Sequence, residues 1–148
     1  MVARGTRRSD GGADIVGWFE SQLRDKVMLA FFLPGIVYLA DAVGTQTETI
    51  VVRGLSIGLA MRRMAGAELL AGLAIGLALA AIAGPVVWWR WGETDIALCV
   101  GLSLFATCST ATVAAMAIPW LLDSFGLDPA FGSGPLATVI QDLLSILI

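Results

Sequence analysis

The chain has 148 residues, 57% of them hydrophobic and only 14% charged, with a net charge of -3 and no histidine. Soluble domains carry about 45–50% apolar residues, so this composition, with a mean hydropathy of +0.84, belongs to a lipid bilayer. The lack of histidine removes imidazole metal sites, His-based proton transfer and Ser-His-Asp triads. With no nucleophile motif besides, no enzyme is expected. No basic stripe interleaved with aromatics points to nucleic acid.

Residues 1–13 are polar and glycine-rich and read as a disordered tail. Residues 14–26 place Ile15, Trp18, Phe19 and Leu23 at helical spacing with charges between them. They predict an amphipathic helix too short and too charged to span. Asp10, Asp14, Glu20 and Asp25 precede the first apolar run, so this is no secretory signal.

From here the pattern is all-α: a polytopic α-helical membrane protein with about four transmembrane segments, forming one transmembrane domain over 14–148. A bilayer core takes about 20 apolar residues per helix. Segment A runs from Val27 to Val43 and contains Pro34, which predicts a kink. Gly44 to Gly66 is mixed, and Arg53, Arg62 and Arg63 make it a further helix at the membrane interface. Segment B runs from Leu69 to Trp89, with Glu68 a first-turn carboxylate favoured by the helix dipole. Trp88-Trp89-Arg90-Trp91-Gly92 reads as a loop of interfacial anchors between B and C. Segment C runs from Ile96 to Leu122. Its Ser103, Thr107 and Thr110 are expected to bond back to the preceding turn. Cys99 and Cys108 fall on opposite helix faces at about 100° per residue and read as buried packing residues, unbridged. Segment D runs from Pro129 to Ile148. Gly54 with Gly58, and Gly72 with Gly76, are spaced for close helix contact and favour an oligomer.

Charges in hydrocarbon cost about 2.5–3.5 kcal/mol each on insertion scales, so each carboxylate at membrane depth needs a reason. Asp142 lies in an apolar run with no nearby Lys or Arg. With Thr138, Gln141 and Ser145 it forms a polar stripe at spacings of three and four. Oxygen donors around a carboxylate suit a hard cation that keeps several waters, such as Mg²⁺. The alternative is an interhelical hydrogen bond made by a protonated acid. Asp128 before Pro129 reads as a helix N-cap with proline at the first helical position, with a pore mouth as a second role. Gly132-Ser133-Gly134-Pro135 interrupts segment D, and broken helices at membrane depth line cavities. Asp41, Gln46 and Glu48 beyond segment A are either interfacial and solvated or face the same path. Asp142, Thr138, Asp128, Gln141, Asp41 and Glu48 are thus the candidate metal-ligating residues.

Two stretches resemble the membrane domain of MgtE-type magnesium transporters. Thr45-Gln-Thr-Glu-Thr-Ile-Val-Val-Arg-Gly-Leu-Ser56 is similar to the family's Gly-Asn-Ala-Gly-x-Gln stretch with its Val-Arg-Gly-Leu-like run. Asp128-Pro-Ala-Phe-Gly-Ser-Gly-Pro-Leu-Ala-Thr-Val-Ile-Gln-Asp142 is similar to its last helix. Pro34, Glu68 and Ile118-Pro119 also have counterparts, and the resemblance covers residue 18 to the end. It implies a multi-pass protein of the cell membrane, a homodimer with a pore at the subunit interface, carrying Mg²⁺ or other divalent cations. It further implies that Asp142 coordinates hydrated Mg²⁺, with backbone carbonyls near Thr138. The sequence departs from the pattern where Asp41-Ala42-Val43-Gly44 replaces Gly-Asn-Ala-Gly, so Ala42 stands in place of the family's asparagine and Asp41 and Glu48 are extra carboxylates. The family's cytoplasmic regulatory domains and its first transmembrane helix have no counterpart in the sequence, so gating through those domains is not expected. The family topology would set the N-terminal tail outside, whereas Arg4, Arg7, Arg8, Arg24 and Lys26 favour the cytoplasm. Residues 14–26 along the membrane surface, a chain that is a fragment, or a half that pairs with another subunit would each reconcile the two. A non-transporting membrane subunit or half-transporter that needs a partner chain is the alternative function.

Overall fold

The computed structural model describes residues 10–130 and 133–148, with side chains from Val27 onward. It is all-helical among these residues: α1 spans Asp10–Ser56, α2 Met61–Trp91, α3 Thr94–Ser124 and α4 Ser133–Leu147. The chain divides within α1, after Phe31, into two compact units. The site lies in the second, residues 32–148. The amphipathic pattern of residues 14–26 falls on side chains outside the described ones, and residues 1–9 lie outside them altogether.

Among the described residues three stretches are long and apolar enough to cross a membrane: Val27–Ser56, Met61–Trp91 and Thr94–Ser124. At about 1.5 Å per residue, the two 31-residue helices α2 and α3 reach about 46 Å, past a hydrocarbon layer of about 30 Å. The fourth segment is shorter than expected. The 15 residues of α4 give about 22 Å, less than one crossing.

Two boundaries differ from the sequence reading. Gly44–Gly66 is not a separate interfacial helix. Helix α1 runs through it to Ser56, and the break falls at Ile57–Ala60, where Gly58 adopts φ +76°. A left-handed turn of this kind favours glycine, and Gly58 has no helix contact around it. The polar residues that disguise the continuation, Thr47 and Glu48, are buried on one face of α1 with Val43, Gly44 and Val51. Likewise, Trp88 to Trp91 belong to the last turn of α2, which Gly92 ends at φ +74°. Trp91 meets the Phe32 ring edge-to-face at 5.3 Å, tying this end of α2 to α1.

Helix α3 is the centre of the bundle. Half of its most apolar window is buried, against 17% for α2 and 22% for α1. The remaining apolar surface of α1 and α2 is left for lipid. Packing between apolar helices in lipid has no hydrophobic drive and depends on close approach. Gly72 and Gly76 of α2 supply it: a side chain at Gly72 would collide with Thr112 of α3, and one at Gly76 would lie 3.2 Å from the Cys108 Cβ. Ala40 and Val43 of α1 close the same core against Cys108 and Ala111. Two of the three hydroxyls expected to bond back within α3 do so: Thr107 donates to the Ser103 carbonyl at 2.7 Å and Thr110 to that of Ala106 at 2.8 Å. Both cysteines are free, but only Cys108 is buried and Cys99 is exposed.

Candidate functional site: a groove between α1 and α4

Helices α1 and α4 run antiparallel along a shared groove. Residues 33–41 of α1 lie beside 138–146 of α4, and 45–56 lie beside 130–134. The helices close on one another midway, where Gly44 sits against the Gln141 amide. Any side chain at 44 would occupy the volume that this amide fills. On either side of the closure the groove opens into a cavity.

The first cavity, of about 440 Å³, is lined by Asp41, Thr138 and Asp142 together with Pro34, Tyr38 and Ile146. It brings together three of the six candidate residues, drawn from two helices far apart in sequence. One Asp41 carboxylate oxygen, Oδ1, is buried and has no hydrogen-bond partner among the described residues. Tyr38, the chain's only tyrosine, shares the Asp41 face at i, i+3, a signal present in the sequence but not singled out there.

The second cavity, of about 520 Å³, contains Glu48 with Thr45, Thr49, Arg53, Ser133 and Gly134. Glu48 is 8% exposed and Ser133 2%. The Glu48 Oε1 lies 3.9 Å from where a Gly134 side chain would begin, an ordinary contact distance that sets Gly134 beside the carboxylate.

The remaining candidates fall elsewhere. Gln141 does not line either cavity. It is 2% exposed, and both its amide atoms lack hydrogen-bond partners among the described residues. The predicted stripe therefore splits. Ser133, Ala137, Gln141 and Ser145 form the buried face of α4, while Thr138 and Asp142 face the groove. Asp128 is exposed in the turn before α4, accepting a hydrogen bond from the Ala130 N–H at 2.9 Å. It is not the N-cap of α4, which begins at Ser133. The same start places Gly134-Pro135 in the first turn of α4 rather than at a break within it, where a missing proline N–H costs no helical bond. Gln46 is exposed.

Among the described residues no group of three or more carboxylates, thiols or imidazoles is placed to hold a metal. What the groove offers is two carboxylates and two hydroxyls around one cavity, and one carboxylate with several hydroxyls and Arg53 around the other. Such sets of hard oxygens can hold a cation through its water shell rather than enclose it bare.

Residues 33–148 match the family model described as MgtE, divalent cation transporter. The chain belongs to the MgtE family. Three curated relatives, each named magnesium transporter MgtE, agree. That of Bacillus subtilis is 34% identical over 143 residues, covering 90% of this chain and 31% of the relative. Those of Enterococcus faecalis and Thermus thermophilus are 30% and 31% identical, each covering 92% of this chain and 31% of the relative. The chain thus spans about a third of the length of these MgtE relatives, and the matched part holds the whole α1–α4 groove.

Proposed function

We propose that this MgtE-family chain carries divalent cations, Mg²⁺ foremost, across the cell membrane along the α1–α4 groove. One observation carries the reading: Asp41, Thr138 and Asp142 line a single cavity, with a buried Asp41 oxygen that has no hydrogen-bond partner among the described residues. Unpaired carboxylates in a bilayer are expensive, and a passing cation offsets that cost. Six waters at about 30 Å³ each fill about 180 Å³, so a hexahydrated ion fits a cavity of about 440 Å³. Mg²⁺ gives up its waters reluctantly, and a site that holds the ion through its waters avoids that barrier.

A second copy of the chain closes the open side of this groove. Tyr38 and Ile146, both exposed, line the cavity and supply the dimer contact. Two Asp142 carboxylates then face one axial path.

Mg²⁺ uptake into proteoliposomes holding the purified chain tests the proposal, with Asp142→Ala beside it. Uptake by the native chain and none by the variant is the expected result.

A further inference from the structure

Glu48 is more than nine-tenths buried, yet it makes no hydrogen bond or ion pair with any described residue. A largely buried carboxylate without a protein partner is stabilised by a counter-charge or by a proton. Arg53 lines the same cavity but is exposed and outside ion-pair reach of Glu48. It sits in the last turn of α1, where a cation is favoured by the helix dipole. The cavity also offers oxygens. Thr45 and Ser133 line the cavity, and Thr49 donates its hydroxyl hydrogen to the Thr45 carbonyl at 2.8 Å, leaving its oxygen lone pairs free to accept.

We infer that Glu48, Thr45 and Ser133 form a second station for a hydrated divalent cation, separate from the Asp41–Asp142 cavity and in series with it. This deepens the transport reading and rests on it for its role, though not for its binding. Seven residues of α1 separate Asp41 from Glu48, about 10.5 Å of helix rise. The Gly44–Gln141 closure lies between them. At about 520 Å³ the second cavity also admits six waters of about 180 Å³ in all. Two ions in such a row repel one another, and a pore with weak sites in series releases its cargo more readily than one with a single deep well.

The test counts Mn²⁺ bound to the full chain in nanodiscs by electron paramagnetic resonance, in the native protein, Glu48→Gln and Asp142→Asn. The expected result is two classes of bound Mn²⁺, one lost in Glu48→Gln and the other in Asp142→Asn. Ser133→Ala weakens the Glu48 class several-fold and spares the other. Helical circular dichroism and a single chromatographic peak confirm that each variant folds. Retention of both classes in folded Glu48→Gln overturns the inference, since the carboxyl is then protonated or idle. Loss of both classes together in that variant also overturns it, because the cavities then act as one site. If Asp142→Asn changes nothing while Glu48→Gln removes a class, the second station stands and the Asp142 reading fails.

Discussion

Gly44 of α1 and Gln141 of α4 fit together as a missing side chain and the amide that replaces it. The contact sets how closely the two helices approach, and with that the spacing of Asp41 from Asp142. Gly44→Ala pushes the helices apart or drives the amide off its rotamer, a type of overpacking that costs about 1–3 kcal/mol. Its thermal unfolding in detergent is expected to fall by several degrees. Gln141→Ala removes the clashing atoms, so the double variant is expected to recover part of the loss, and a double-mutant cycle reads the coupling.

The glycines divide by what they touch. Gly72 faces Thr112 down to its Cβ, whereas Gly54 faces the end of the Met64 side chain. A β-branched side chain has little freedom to move, and a methionine thioether has much. Gly72→Ala is therefore expected to destabilise by about 1–3 kcal/mol and Gly54→Ala by less. Gly84→Ala meets only ordinary contact, at 3.6 Å from the Ala97 carbonyl. It is expected to be neutral or to gain from helix propensity, by up to about 1 kcal/mol. Denaturation midpoints of the three variants in one detergent rank them.

Gln141 is buried with both amide atoms unpartnered among the described residues. Exchanging a buried, unsatisfied polar group for an apolar one of similar shape is nearly neutral or stabilising. Gln141→Met is expected to unfold within about 1 kcal/mol of the native chain or above it. A loss of several kcal/mol would mean that the amide has partners, such as water in the groove.

The thiols offer a direct check of the α3 orientation. Cys99 is exposed and Cys108 buried against α2. One maleimide per folded chain in detergent, and two after denaturation, is the expected labelling. Mass spectrometry should place the first at Cys99.

Much of this architecture is readable from local chemistry. The long apolar runs give both ends of α3 and the end of α2 closely, though α2 begins at Met61, well before the run that starts at Leu69, and the returning hydroxyl bonds of Thr107 and Thr110 follow from their place in an apolar helix. The errors arise where polarity is mistaken for water. Thr47 and Glu48 suggest an interface, yet they are buried on a helix that continues to Ser56. Asp128-Pro129 has the form of a helix start, but the turn it makes ends before Ser133. Thr138, Gln141, Asp142 and Ser145 share helical spacing, but a stripe one hundred or so degrees wide spans two surroundings. Gln141 and Ser145 fall on its buried side and Asp142 on its groove side. Only the approach of α1 through Gly44 decides which is which, and that is a tertiary fact. The pairing of Asp41 with Asp142 in one cavity is likewise invisible in a sequence where they lie a hundred residues apart.

The central claim is that the groove conducts and that Asp142 lies in its path. Mg²⁺ uptake into proteoliposomes, followed with an enclosed indicator for the native chain, Asp142→Ala and Asp41→Asn, tests it most directly. The account predicts uptake by the native chain, its abolition in Asp142→Ala and a reduced or less selective flux in Asp41→Asn. Undiminished uptake in Asp142→Ala would contradict it. So would no uptake by a folded, inserted native chain, which would make this chain a membrane subunit that works only with a partner.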